Sequence, residues 1–540
     1  SHGDDEHSEL EALLSTRKDG SRKRTAAELE QENRVLKKSL DATRQSIHNG
    51  CHYYASWDAL ENEPDDCGMP VTGDCAMHCF RRISDFHELD CRERLNTASY
   101  VNVYLEDQEI KAANLGMKIN LADQTVYPQS FKIHNITLNM IANLWHCPKP
   151  PDFDNYGVFP GAGTVGSTEA CLLAGLCLKF RWRKWYAARH ELSESQVRGV
   201  YPNLVISTCF QACWEKLFRY MDIEPRFVVP TRTSFALTAA GVREQVDEKT
   251  IGVVCIMGNH YGGQYDPVWE INEMLTTLNR DLKFQVGIHV DAASGGFIAP
   301  FQRDLPPWDF RLPNVLSISA SGHKFGESVC GTGWVVWRQR ENLSEHVAIS
   351  VSYLGGKADS YTLNFSRPAS GIFVQYYKFH RLGRRGYQAL CDNRMSNAKY
   401  LRDALKAFKH SDGRPKFRML DDGDTNCLPV VTAQLNPELG LPYDDIDLQH
   451  QMLQHHWYVS GYRMSFHDPT DEATKPLFND APADRTMFRV VVKANVTRPM
   501  MDNLVTALHS CVVDMDSLGP GFKSMHEPKK QKTAQKGHAC

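Results

Sequence analysis

Four short runs in this 540-residue chain carry side chains that could do chemistry together. The run Gly161-Ala-Gly-Thr-Val-Gly-Ser167-Thr168 is glycine-rich and ends in two hydroxyls at the start of a long helical pattern. Backbone N–H groups at a helix start, joined by hydroxyls, can cradle a phosphate. The spacing is neither a Walker motif nor a dinucleotide fingerprint, and Ser and Thr are equally favoured as ordinary helix caps. In Ile288-His289-Val290-Asp291-Ala292-Ala293 a carboxylate ends an apolar run, where it either closes a turn or meets a cationic ligand atom. In Ser317-Ile-Ser-Ala-Ser321-Gly322-His323-Lys324 an amine follows small residues and a glycine. Most lysines lie at the surface, but such neighbours would leave this amine facing a cleft. Gln211 and Trp214 follow a further apolar run and could stack on a planar ligand or pack a helix start.

Taken together the four are more specific than any one. Phosphate cradle, stacking side chain, carboxylate and lysine, in that order, are what pyridoxal phosphate requires. The lysine condenses with its aldehyde, and the carboxylate keeps the pyridine nitrogen protonated so that the ring can accept electrons.

The elements that must position these groups alternate. Short β-branched or aromatic runs at Asn203–Thr208, Ile251–Ile256, Val286–Val290, Val315–Ile318 and Gly333–Trp337 read as buried strands, and Ser167–His190 reads as a long helix. This alternation predicts an α/β fold, a mostly parallel central sheet flanked by helices, with ligands at the strand ends. Helices such as Ala398–Phe408 and a strand at Met487–Val492 predict a small C-terminal α+β domain. The expected organisation is an N-terminal segment over 1–94, a large domain over 95–393, a small domain over 394–522 and a basic tail over 523–540. Leu29, Asn33, Leu36 and Leu40 fall at d, a, d, a of a short heptad pattern after Arg22-Lys23-Arg24. About two heptads are too few for a DNA-binding zipper, so the pattern predicts an amphipathic helix packed on the protein itself or on a sister subunit.

Composition excludes other classes. With 61 basic and 65 acidic residues the formal net charge is −4, and 42% of residues are hydrophobic, as in an ordinary globular protein without a nucleic-acid footprint. No apolar run is long enough to span a membrane, and the acidic start lacks the apolar core of a secretory leader, so a cytoplasmic protein is expected. Cys67, Cys75, Cys79 and Cys91, near His78 and His87, lack the spacing of a zinc ribbon or finger, and no metal is expected. The tail beyond Phe522 is lysine-rich, with Met525 its only large apolar side chain, so it lacks the anchors of a calmodulin target.

The runs SISASGHKFG, HVDAASGGF, YLGG…NFSRP, NLADQTVYPQS and LKFRWRKW resemble the glutamate decarboxylases, a branch of the pyridoxal-phosphate-dependent group II decarboxylases. The resemblance runs from about Leu95 to Ala507. It implies a pyridoxal-phosphate fold of type I, conversion of L-glutamate to 4-aminobutyrate and CO₂, and a homo-oligomer with its site at a subunit interface. By position it implies that Lys324 carries the cofactor, His323 contacts it, Asp291 pairs with the ring nitrogen, Ala293 packs under the ring and Gln211 stacks over it. Ser167, Thr168 and Ser321 would hold the phosphate, with Ser366 from a neighbouring subunit. Ser99, Tyr100, Asn120 and Asp123 match substrate-side positions, Arg489 the arginine for the α-carboxylate, and Tyr353 a loop tyrosine that returns a proton. His260 stands near the cofactor ring where relatives usually carry Thr, and Ser460 replaces a customary Pro. Alternatives are a sister decarboxylase for an aromatic or cysteine-sulfinic substrate, or a scaffold of the same fold without turnover.

Overall fold

The computed structural model describes residues 25–50, 68–69, 73–351, 358–421 and 427–524. Tyr353, Cys67 and the basic tail from Met525 onward lie outside the described residues. Contacts divide the chain into two units, Ser1–Cys91 and Arg92–Cys540. In the first, Ala26–Gly50 is a helix on which Leu29, Leu36 and Leu40 stay exposed, and Ala76–Glu88 is a second helix capped by the Cys75 thiol. Among the described residues Cys75, Cys79, His78 and His87 form no group of three convergent metal ligands.

The second unit is built on a seven-stranded sheet: β1 (Gly161–Val165), β2 (Asn203–Ser207), β3 (Glu224–Val228), β4 (Thr250–Ile256), β5 (Gly287–Asp291), β6 (Val315–Ser321) and β7 (Thr332–Trp337). Their order across the sheet is β1-β7-β6-β5-β4-β2-β3. The pairs β2–β3, β2–β4, β4–β5 and β5–β6 are parallel, whereas β6–β7 and β1–β7 are antiparallel. Successive side chains of a strand point to opposite faces. Accordingly Leu204 and Ile206 join one apolar cluster and Val205 another, and Val254 and Ile256 part in the same way from Val253 and Cys255. Both faces are buried, which is why these strands read as continuous apolar runs.

Two elements depart from the sequence reading. The glycine-rich run is not a turn: Gly161–Val165 is β1, paired residue by residue with Val336–Thr332, and the helix begins only at Gly166. The ordinary-cap reading of Ser167 and Thr168 also falls, because Val165 occupies the cap position and the Glu169 carboxylate accepts its backbone N–H at 2.6 Å. β3 escaped notice because Glu224-Pro-Arg-Phe-Val is short, polar at its start and lies at the sheet edge.

Beyond the sheet, Ser370–Ala407 is a long helix broken only at Gly383, whose φ is 58°. A four-stranded antiparallel sheet follows, in the order Phe417–Met419, Val430–Leu435, Thr486–Val491, Ser460–Arg463. Its apolar face packs with the helix Arg498–Leu518 through Phe488, Val490, Leu504 and Leu508. No helix among the described residues is long and apolar enough to cross a membrane.

Candidate active site

Parallel β5 and β6 end side by side, and the backbone carries their alignment past the last strand residues. Ala292 N–H donates to Ser319 O at 2.9 Å and Ser321 N–H to Ala293 O at 3.1 Å. Asp291 and the segment Ser321–Lys324 are therefore neighbours because their strands are. Ser167, Gln211, His260, Asp291, Ala293 and Lys324 line one cleft at this end of the sheet.

The turn that carries Lys324 is held at three of its carbonyls. Asn102 N–H donates to His323 O at 2.7 Å, Tyr387 Oη and Gln375 Nε2 to Gly326 O at 2.8 and 2.9 Å, and Asn102 Nδ2 to Glu327 O at 2.8 Å. Glu327 is buried with φ 65°, and its carboxylate accepts from the buried Arg394 guanidinium. A non-glycine residue keeps such a conformation only where its surroundings enforce it. The Lys324 amine is half-buried, 3.4 Å from Ser294 Oγ and 5.3 Å from the Tyr100 ring centroid. Burial pulls its pKa below the ordinary lysine value, against the opposing charge of Asp291. The neutral amine, the form that attacks a carbonyl, thereby becomes more available.

Asp291 is buried and braced at both oxygens: Oδ2 accepts from the Trp214 indole at 2.8 Å, and Oδ1 from Ala293 N–H at 3.1 Å. Trp214, which the sequence left open between stacking and packing, thus orients the carboxylate. Gln211 caps the helix Ala212–Tyr220 by accepting from Cys213 N–H at 3.0 Å while still lining the cleft. His323 donates from Nδ1 to Thr332 O at 2.8 Å, and burial, with Lys324 beside it, pushes its pKa down to about 4. His260 is driven well below the ordinary histidine value, first by burial and then by Arg489 and Lys324. Both imidazoles are neutral near pH 7.

Arg489, on the strand Thr486–Val491, is 1% exposed. It donates to the backbone carbonyls of His260 and, at 2.7 Å, Ala98, while its Nε has no acceptor. Its guanidinium lies 5.0 Å from the Tyr100 ring centroid, and the Tyr100 hydroxyl donates to His260 O at 3.1 Å. No carboxylate pairs with Arg489 among the described residues. A buried guanidinium in this condition is an anion site by electrostatics alone. Ser99, one residue before Tyr100, accepts Val101 N–H on its Oγ at 3.2 Å.

Asn120, Asp123 and Ser366 form a separate group. Asn120 Nδ2 donates to Ser366 Oγ at 3.4 Å, and Asp123 N–H donates to Asn120 O at 3.1 Å. None of the three lines the Lys324 cleft within this chain. Asn364 N–H donates to Glu169 Oε1 at 2.7 Å, tying the segment that bears Ser366 to the start of the helix Gly166–His190. The sequence reading missed Ser294, although it stands inside HVDAASGGF, three residues after the carboxylate it accompanies.

The residues present fit pyridoxal phosphate. An amine with a lowered pKa and a braced carboxylate share one cleft, and Ser321 Oγ is buried without a partner, as expected of a hydroxyl awaiting an acceptor. Lys324 could hold the aldehyde carbon, Asp291 the ring nitrogen, and Ser167, Thr168 and Ser321 the phosphate.

Comparison with known proteins agrees. Residues 58–414 match the pyridoxal-dependent decarboxylase conserved domain. The chain is 39% identical over 369 residues to glutamate decarboxylase beta of Listeria innocua, covering 68% of this chain and 76% of that protein. It is 36% identical over 440 residues to the glutamate decarboxylase of Lactococcus lactis subsp. cremoris, covering 82% and 87%. The solved Lactobacillus brevis glutamate decarboxylase superposes with a TM-score of 0.75 at 34% identity, over 85% of this chain and 97% of that one. With a family domain over most of its length and relatives aligned along most of theirs, the chain belongs to the pyridoxal-dependent decarboxylase family, within the branch of the glutamate decarboxylases.

Proposed function

We propose that the protein decarboxylates L-glutamate to 4-aminobutyrate and CO₂, consuming one proton, with pyridoxal phosphate carried on Lys324. The observation that carries this reading is the shared cleft of Lys324 and Asp291, together with a buried guanidinium at Arg489 that no carboxylate among the described residues neutralises. When bound, pyridoxal phosphate supplies an electron sink for the pair left on the α-carbon as CO₂ departs. Asp291, braced by Trp214 and Ala293, holds a proton at the ring nitrogen. Gln211, Ala293 and His260, which line the cleft, would hold the ring, and Ser167, Thr168 and Ser321 would hold the phosphate. His323, neutral and tied through Nδ1 to Thr332 O, keeps Nε2 as its proton-accepting nitrogen.

Arg489 takes the α-carboxylate through Nε, which has no acceptor, and a neighbouring Nη. Tyr100 closes the water-excluding wall above it. Ser99 recognises the distal carboxylate end, Asn120 and Asp123, grouped with Ser366 away from this chain's cleft, do so at the neighbouring subunit's site, and Tyr353 returns the proton to the α-carbon. The reading includes a large domain over 95–393, a small one over 394–522 and a cytoplasmic enzyme. It also includes at least a dimer, because Ser366 is exposed in this chain and would serve the neighbouring subunit's cofactor. The relatives named glutamate decarboxylase support the substrate.

Borohydride reduction, digestion and mass spectrometry test the assignment: the pyridoxyl adduct is expected on Lys324, and an adduct elsewhere overturns it. Product analysis with glutamate, aspartate and aromatic amino acids tests the substrate. An aromatic substrate with a higher kcat/KM would leave the reaction type and remove glutamate. Light scattering should find at least twice the mass of one chain.

A further inference from the structure

At the base of the cleft two thiols meet the carboxylate. Cys171 on the helix Gly166–His190, Cys213 on the helix Ala212–Tyr220 and Asp291 at the end of β5 are all buried, and their Sγ, Sγ and carboxylate oxygen lie within 4.8 Å of one another. It is the one such convergence of three ligand side chains among the described residues. Cys213 and Asp291 line the cleft, whereas Cys171 lies deeper, 3.5 Å from Ser319 Oγ. None of the family chemistry above uses either thiol.

We propose that Cys171, Cys213 and Asp291 form a soft-metal site that takes one thiophilic divalent cation, zinc or cadmium, when pyridoxal phosphate is absent. Thiolate with carboxylate is a zinc-type donor set, and a tetrahedral site of this kind spaces its donors about 3.8 Å apart. The observed limit is met by side-chain shifts of under about 1 Å on that geometry. Three protein donors leave one coordination position, and the cleft adjoins it. The nearby Lys324 amine, whose charge already interacts with all three groups, offsets the negative charge of two thiolates and a carboxylate. Burial raises the Cys171 thiol well above its ordinary value, so at rest it holds its proton. Binding therefore breaks two S–H bonds, forms two S–metal bonds and sends two protons to solvent, with no redox change. Metal and cofactor exclude one another because both use Asp291. This exclusion, though not the metal site itself, rests on the function proposed above.

Equilibrium dialysis of the cofactor-free full chain against cadmium tests the site, with bound metal counted per chain and the thiolate–cadmium ultraviolet band recorded. Cys171→Ser and Cys213→Ser should each bind one cadmium fewer than the wild type. The proton count at neutral pH should fall by two with that ion, which allows for exposed thiols such as Cys79, Cys91 and Cys330. Saturating pyridoxal phosphate, its uptake followed by absorbance, should expel the same single ion. Equal cadmium counts in the wild type and both variants overturn the proposal, as does a wild-type count unchanged by bound cofactor. Near-ultraviolet dichroism reports folding of the variants. Should the serine forms not fold, Cys171→Ala and Cys213→Ala replace them, and the wild-type competition decides on its own. A chain that takes up no pyridoxal phosphate faults the cofactor reading, and the cadmium difference between wild type and variants then judges the metal site.

Discussion

Arg489 and Asp291 illustrate how differently two buried charges can be treated. Asp291 has both oxygens satisfied, by the Trp214 indole and the Ala293 amide. Arg489 has its Nη atoms on backbone carbonyls and its Nε idle. The first is a group prepared to hold one ligand atom in a fixed place; the second still needs an anion. Arg489→Lys keeps the charge and loses the planar fork. It is expected to lower kcat/KM for glutamate by about 2–3 kcal/mol, roughly a hundredfold, as for the loss of charge-assisted hydrogen bonds. Steady-state kinetics of the cofactor-loaded variant check this, and a kcat/KM within about threefold of wild type would remove Arg489 from substrate binding.

At the scale of elements, the junction of β1, β7 and the helix Gly166–His190 leaves no room for a side chain. A Cβ at Gly333 would lie 2.2 Å from Gly166 O, a backbone atom that cannot swing aside. Gly333→Ala should push the helix start, with Ser167 and Thr168, away from the cleft at an overpacking cost of about 1–3 kcal/mol. Pyridoxal phosphate should then dissociate about ten- to a hundredfold more readily, measured by absorbance on dilution; unchanged retention would show that the helix start does not hold the phosphate.

The C-terminal sheet has its own sensitive point. Asp445 is buried, accepts Leu435 N–H and the Thr486 hydroxyl, each at 2.8 Å, and is pushed up to about 7 by burial. The native state keeps that proton to about pH 7, whereas the unfolded chain releases it near 3.8, so this residue's contribution declines as pH rises between the two values. Asp445→Asn imitates the protonated form. Urea unfolding should show the variant gaining on wild type across that window, by up to roughly 4 kcal/mol; a constant difference would mean that Asp445 does not titrate there.

Over the whole molecule, buried histidines oppose buried aspartates. Burial pushes His134 and His323 down to about 4 and His289 to about 3, so unfolding takes up protons as pH falls below the ordinary histidine value of 6.5. Stability from these three is full above pH 6.5 and is lost on acidification toward 4. Asp266 and Asp445, both raised to about 7 by burial, act in the opposite sense over nearly the same range. With His260, also driven well below the ordinary histidine value, four histidines outweigh two aspartates, so the unfolding free energy of the cofactor-free protein in urea should rise with pH from about 4.5 to 6.5, at up to roughly 2.7 kcal/mol per pH unit. A flat or falling value would show that the aspartates prevail.

Much of this organisation is legible in the chain, and the exceptions share a cause. β4, β5 and β6 are plain in the sequence because a strand buried on both faces is apolar at every position, a local property. β1 was not, since its glycines satisfy packing against β7 rather than any strand preference. Reading along the chain singles out Ser167, Gln211, Asp291 and Lys324 by their order as groups that could act, and the family resemblance adds Arg489 and Ser366 as candidates. That Trp214 braces Asp291, that Arg489 is buried with no counter-charge among the described residues, and that Cys171 and Cys213 meet at the base of the cleft emerge only on folding. Those facts depend on burial and on contacts between distant elements, and no local pattern of residues records what will stand on the far side of a side chain once the chain has folded.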